Sequence, residues 1–195
     1  MRPVDTPRPK LILISGPPAS GKSALAERLG RELCLPVFSS DSFKEVLFDH
    51  FDSTDPGTEF RETLGKIGFE LLYHAMKACL TSGTTAIFEA NFHPAKNNDR
   101  LKTLFAGFDA VPFYIYCFAD RSVIDSRFRA RATTETRHAG HKDQEKIQSD
   151  RYPDMLFESN FRLDIGTTPH EVDTTDFDTI DHGRLESGIR TFLSR

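Results

Sequence analysis

Residues Gly16 to Ser23 read GPPASGKS and fit the pattern G-x-x-x-x-G-K-[ST]. That spacing serves one kind of chemistry: it wraps backbone N–H groups around a phosphate. Gly16 and Gly21 let the chain curl so that successive N–H groups aim at one anion. A helix opening near Lys22 adds the positive end of its dipole. Lys22 is placed to reach the β- and γ-phosphates, and Ser23 to ligate Mg²⁺. The cradle runs through Gly16, Pro17, Pro18, Ala19, Ser20, Gly21, Lys22, Ser23 and Ala24. It predicts binding of a nucleoside triphosphate together with Mg²⁺.

Transfer of a phosphoryl group needs two further parts: a residue that orients or deprotonates the acceptor, and cations for the equatorial oxygens. Asp41, in SSDSFKE, is the candidate base. Asp41 or Ser42 can instead cap the helix that follows, and so can Ser40. Glu89 closes the apolar run IFEAN. A carboxylate there can hold a Mg²⁺-bound water or an acceptor hydroxyl, or it is a solvated strand end. Asn91 is a substrate candidate that turn chemistry explains nearly as well. Lys44, one turn beyond Asp41, can touch substrate or face solvent.

Arg121, Arg127, Arg129, Arg131, Arg137 and Lys142 crowd one short stretch. Ile124, Phe128 and Ala132 form its apolar stripe. Arg121, Asp125 and Arg129 align on one face, where Asp125 can pair them. Arg127 and Arg131 share a neighbouring face, which leaves them, with Arg137, as free cations for the transferring phosphate. An arginine in that role is worth roughly 10³-fold or more in rate. His138 and His141 flank Ala139-Gly140. No third metal ligand is evident beside them, so substrate contact or, more simply, exposure is the expectation.

These residues need a frame. Lys10–Ser15 reads as a buried strand, and Leu25, Leu29 and Leu33 give a helix over 22–33. Pro36–Ser39 is a short strand, followed by a helix from about Ser42, and Asp49–Gly57 is a loop. Glu59–Leu80 is a long amphipathic helix, weakened by Gly65 and Gly68. Thr84–Phe88 is a strand ending at Glu89-Ala90-Asn91. Pro94–Phe105 is a helix, and Val111–Phe118 a strand apolar enough to be central. A fifth strand falls around Glu171-Val172-Asp173, and a last helix over 181–193. The stretch 161–165 is either strand or loop. Alternating strands and helices predict a parallel sheet with helices on both faces. Ligands then collect beyond the carboxyl ends of the strands, where the cradle, Asp41, Glu89 and Asn91 all fall.

At 195 residues the chain is expected to form one domain, residues 1–195, with residues 120–151 as a mobile lid. A net charge of −4 argues against general nucleic-acid coating. No apolar run approaches the ~20 residues of a membrane span. Met1–Pro9 has no apolar core of a secretory signal and is expected to be a short disordered leader. Cys34, Cys79 and Cys117 are expected to be reduced core thiols, which suits a cytoplasm.

The segments LILISGPPASGKSALAERL, SSDSFKE, FEANF and RSVIDSRFRARA…RHAGH span most of residues 10–142. In them the chain resembles the P-loop kinase superfamily, and most of all its branch with zeta toxins, chloramphenicol phosphotransferase and polynucleotide 5′-kinases. The resemblance implies an α/β P-loop NTPase fold with a five-stranded parallel sheet of order 2-3-1-4-5. It implies ATP rather than GTP, a base role for Asp41, and phosphate contacts for Arg127 and Arg131. It also implies that Asp173-Thr174-Thr175 lies near the adenine, with Thr174 in the nucleotide site. The chain departs from the pattern in lacking an ordinary strand ending in Asp for Mg²⁺, with Glu89 nearest, and in showing no phosphatase or ligase partner domain. The leading expectation is a kinase acting on a hydroxyl of a small molecule. The alternatives are a polynucleotide 5′-hydroxyl kinase and a nucleotide-dependent switch with slow hydrolysis.

Overall fold

The computed structural model describes residues 9–51, 57–135, 137–150, 152, 155–156 and 161–195. The leader, the centre of the Asp49–Gly57 loop and part of the lid's far end lie outside the described residues. Five parallel strands form the sheet: β1 (Leu11–Ser15), β2 (Val37–Ser39), β3 (Ala86–Ala90), β4 (Phe113–Phe118) and β5 (His170–Asp173). Their order is β2-β3-β1-β4-β5, the order that the resemblance implies. Among the described residues seven α-helices accompany them: α1 (Lys22–Leu33), α2 (Ser40–His50), α3 (Thr58–Ser82), α4 (Pro94–Gly107), α5 (Arg121–Ala132), α6 (Asp143–Ile147) and α7 (His182–Ser194).

Side chains alternate across a strand, and here both faces are apolar. Leu11, Leu13, Phe88 and Tyr114 meet Leu72, Met76, Leu101 and Phe105 of α3 and α4. Ile12, Ile14, Ile87 and Ile115 meet Leu25, Leu29, Leu185 and Ile189 of α1 and α7. Sheet and helices thus make three layers. A third, smaller core joins Ala19 of the cradle to Ile124, Phe128, Tyr152 and Leu156.

Several boundaries shift from the sequence reading. Helix α2 starts at Ser40, and its cap is Ser39, whose Oγ accepts the Asp41 N–H at 3.2 Å. Asp41 lies in the first turn of that helix, where the dipole favours a carboxylate. The 161–165 stretch is neither strand nor helix, yet Phe161, Leu163 and Ile165 are buried. The Phe161 carbonyl accepts the Ser15 hydroxyl, and the Leu163 N–H donates to the Tyr114 hydroxyl. Cys117 is buried and Cys79 partly so, but Cys34 is exposed at the end of α1 rather than in the core.

Gly68 has a packing reason to be glycine. A Cβ there would stand 2.8 Å from the Ser40 carbonyl oxygen, on the backbone of α2. Gly65 has nothing within 4 Å of a Cβ. Gly65→Ala should therefore raise stability by about 0.5–1 kcal/mol through helix propensity. Gly68→Ala should lower it, because roughly 1–3 kcal/mol of crowding exceeds that gain. Chemical denaturation of the two variants tests the contrast, and equal effects would remove the proposed α2–α3 constraint.

Candidate active site

The carboxyl ends of β1, β2 and β3 open onto one crevice. Its floor is the loop from Gly16 to Gly21. A Cβ on Gly16 would sit 2.3 Å from the Cys117 carbonyl oxygen, so only glycine lets this loop lie against β4. Ala19 and Gly21 take left-handed backbone angles, with φ of 62° and 76°. Alternation of hand turns successive N–H groups toward one point. Gly21 caps α1, which has neither a side-chain cap nor an acidic residue in its first turn. Its N–H groups are left for an anion. A Cβ on Gly21 would also strike the Phe177 ring, at 2.3 Å.

Lys22 is buried to 5% exposure. Its Nζ lies 3.3 Å from the Pro17 carbonyl oxygen and 3.6 Å from Glu89 Oε1. Glu89 is 4% exposed, so the solvated strand end that its position also allowed is not what the fold holds. Burial pushes its carboxyl up from the ordinary range, against the pull of Lys22 and of the Ser39 and Ser23 hydroxyls near it. Ser23 is exposed at the second position of α1. Ser23 and Glu89 supply hard oxygen donors to one place, which fits Mg²⁺ held chiefly by substrate phosphates. Among the described residues no cluster of three or more His, Cys, Asp or Glu forms a metal site of its own.

Asp41 faces this pair from α2. Burial would raise its carboxyl, but the charges of His141, Lys22, Arg137 and Lys44 together hold it below the ordinary range. Lys44 is half-buried rather than solvent-facing. Burial, with Lys146 and Arg137 nearby, lowers its ammonium against the pull of Asp41 and Asp143. Asn91 is half-buried beyond β3, and its Oδ1 is buried with no partner among the described residues.

The arginines are placed differently from the expectation of free cations. Arg127 Nη2 donates to the Thr174 and Thr175 carbonyls, at 2.8 and 3.2 Å, and the guanidinium lies 5.0 Å from the Phe177 ring. Arg131 and Arg137 both meet Asp143. Arg129 pairs with Asp125 at 2.9 Å, as read from the spacing. Thr174 is fully buried, and its hydroxyl donates to the Ser20 carbonyl at 2.6 Å. It braces the cradle from behind rather than offering surface to an adenine.

His141 is not exposed: it is buried to 4% in the short 3₁₀ turn Ala139–His141, with Nε2 2.6 Å from Glu45 of α2. His138 Nε2 lies 3.0 Å from Asp49 of the same helix. Sequence reasoning missed Ser39, Glu45, Asp143 and Phe177. Ser39 and Glu45 bracket SSDSFKE, where attention fell on Asp41 and Lys44, and Asp143 and Phe177 lie in no motif; only the fold brings all four to the crevice. Two surface cavities of about 750 Å³ lie elsewhere, between α3 and α4 and along β5 and α7, and neither is lined by Lys22, Asp41 or Glu89.

A phosphate cradle, a buried lysine and a carboxylate across the crevice are the working parts of a P-loop protein. The family model described as "AAA domain" matches residues 11–153. The chain belongs to this family. A solved structure from Chloroflexus aurantiacus, named "putative kinase", is 31% identical with a TM-score of 0.81, over 94% of this chain and 98% of that one. Two others share the fold. Kti12 from Chaetomium thermophilum in complex with ADP-AlF3 is 16% identical, TM-score 0.61, over 94% and 97% of the two chains. APS kinase from Mycobacterium tuberculosis in complex with AMPPNP and APS is 14% identical, TM-score 0.53, over 97% and 100%. No curated protein matches the chain in sequence. With these neighbours the chain has the kinase-like fold of the P-loop kinase superfamily.

Two outcomes follow for this family member. Thr174→Val leaves the Ser20 carbonyl buried without its donor, which should cost about 1–3 kcal/mol and weaken ATP binding. Thr174→Ser should restore both, and unchanged melting and affinity in Thr174→Val would remove the bracing role. His141 is pushed down by burial, with Arg137 and Lys44 adding to that and Asp41 and Glu45 opposing. Its proton NMR titration should centre below the ordinary value of 6.5. The unfolded chain then takes up that proton first, so stability falls as pH drops through 6.5. A midpoint above 6.5 would mean that the two carboxylates outweigh burial.

Proposed function

We propose that the chain is an ATP-dependent kinase that moves the γ-phosphoryl group of ATP to a hydroxyl of a small-molecule acceptor. The observation that carries this reading is Asp41: a carboxylate in the first turn of α2, within electrostatic reach of the buried Lys22 beside the phosphate cradle. A cradle alone fits any nucleotide binder. An ionised carboxylate opposite it adds a group that can orient an acceptor hydroxyl.

In this reading the cradle N–H groups and Lys22 hold the β- and γ-phosphates. Asp41 accepts a hydrogen bond from the acceptor hydroxyl and takes its proton as the new O–P bond forms. The bond between the γ-phosphorus and the β–γ bridging oxygen breaks, and ADP carries away that electron pair. Ser23 would hold Mg²⁺, with Glu89 behind it, and the ion would neutralise charge on the phosphates. Residues 120–151 act as a lid that brings Arg131 and Arg137 to the γ-phosphoryl group. Lys44 and Asn91 line the acceptor side. Three unpaired cysteines fit a reducing compartment such as the cytoplasm. Among the described residues no helix is long and apolar enough to cross a membrane.

The test follows labelled γ-phosphate from ATP into a pool of hydroxylated small molecules and, separately, a 5′-hydroxyl oligonucleotide. Label should enter the pool, and Asp41→Asn should cut transfer by about 10²–10⁴-fold while ATP affinity stays nearly unchanged. Label on the oligonucleotide alone would move the assignment to a polynucleotide kinase. Free phosphate alone, unaffected by the variant, would leave a slow hydrolase acting as a switch.

A further inference from the structure

Three cations from successive parts of the chain converge on one carboxylate. Asp143, the first residue of α6, has a side chain only 1% exposed. Its Oδ2 lies 2.7 Å from Arg137 Nε and 3.1 Å from Arg131 Nε, and its Oδ1 lies 3.2 Å from Lys146 Nζ. Arg131 comes from the last turn of α5, Arg137 from the loop that follows, and Lys146 from α6 itself. Burial would raise the Asp143 carboxyl, but Lys146, Arg137 and Arg131 outweigh it and keep it ionised.

Packing alone does not account for this cluster. Buried charges are often no better for stability than apolar residues of similar size. The contacts are also selective. Asp143 accepts a hydrogen bond from Arg137 Nε, while Arg131 is held beside the same oxygen by an ion pair at Nε without a hydrogen bond, its guanidinium lying 4.4 Å from the Phe128 ring. Neither arginine makes a hydrogen bond through its Nη atoms to a described residue. Among the described residues the two-pronged end that matches a phosphate is therefore unspent on each. Both arginines also act on Asp41 across the crevice, so they lie on the side where phosphoryl transfer would occur. A carboxylate that takes the Nε edge of Arg137 by a hydrogen bond fixes the direction of that fork, and its charge keeps Arg131 beside it.

We propose that Asp143 is a positioning residue: it holds Arg137 by a hydrogen bond at Nε and Arg131 by an ion pair beside it, so that both forks face the transferring phosphoryl group. This rests on the kinase reading for its purpose, though the geometry stands without an acceptor. Arginine rather than lysine is required at 131 and 137, because only a guanidinium can be gripped on one edge and bind with the other.

The experiment compares binding of AMPPNP and ADP, each with Mg²⁺, by calorimetry. The wild type should prefer AMPPNP, which carries a third phosphoryl group. Asp143→Asn should lose roughly tenfold of that preference, about one charge-assisted hydrogen bond, with ADP affinity held within about twofold. Its kcat should fall by about a hundredfold with little change in KM for ATP, as expected of misplaced catalytic groups. The double variant Arg131→Lys/Arg137→Lys leaves Asp143 neutralised but removes both forks, and it should lose the same preference even if Asp143→Asn folds poorly. A melting-temperature loss in Asp143→Asn with the preference and kcat intact would overturn the proposal. So would a double variant with wild-type preference. The binding ratio needs no acceptor: a wild type that keeps the preference but transfers phosphate to nothing would refute the kinase reading and leave the positioning role standing.

Discussion

Burying an ammonium is costly unless the fold surrounds it with acceptors, and the crevice is organised around that constraint at Lys22. The side chain cannot reach a phosphate from solvent, because it enters through the floor of the cradle. Its neighbours before any ligand arrives are a carbonyl of the loop itself and the carboxylate of Glu89. Glu89 is in turn tolerable in a buried position only because Lys22, Ser39 and Ser23 surround it. Register does the rest. Glu89 pairs with Ile14 on one side and Ser39 on the other, so the strand order that puts β3 between β2 and β1 also puts the carboxylate between the cradle and α2. The sheet order and the electrostatics of the site are one arrangement.

Ser39 ties the second carboxylate to the first. It stands opposite Glu89 across the strands while its oxygen accepts the Asp41 N–H. The helix carrying Asp41 is then gripped from two sides. On one, the bare backbone at Gly68 lets α3 approach within contact of Ser40. On the other, His141 and His138 bond to Glu45 and Asp49, and Phe48 packs edge-on against His138. The arginine-bearing segment therefore touches the helix of the acid group as well as the phosphate side. A movement of that segment would be felt at Asp41 through packed side chains, without any need for a distant signal.

The opposite wall has the same logic. Ala19 of the cradle is part of the small core beneath α5, Thr174 braces Ser20, and Arg127 spans from α5 to the loop after β5. Phe177 lies between Arg127 and Gly21. The cradle is thus held by the elements on either side of it, and its left-handed residue Ala19, an uncommon conformation for a side chain with a Cβ, is stabilised by that packing. Strain of this kind persists only where surrounding structure over-determines it.

The cradle, the five strands and the helices that cover them were legible because each depends on local sequence: a spaced glycine motif, apolar runs, and repeats of three and four. Sheet order came through resemblance, since no strand carries its neighbour's identity in its own residues. What stayed hidden were contacts between segments remote in sequence. Thr174 and Ser20 are 154 positions apart, and His141 and Glu45 are 96 apart. Asp143 shows a subtler limit. It is close in sequence to Arg137, yet in HKDQEK it looks like one more member of a charged surface run. Its burial, not its type, separates it from Asp125, which pairs with Arg129 on an open face. Spacing can say that a carboxylate and an arginine are able to meet. Both Arg129 and Arg137 meet their carboxylate at Nε, so whether the pair is a surface ornament or a grip that aims the arginine elsewhere depends on burial and on how many cations share the carboxylate, and those are properties of the fold.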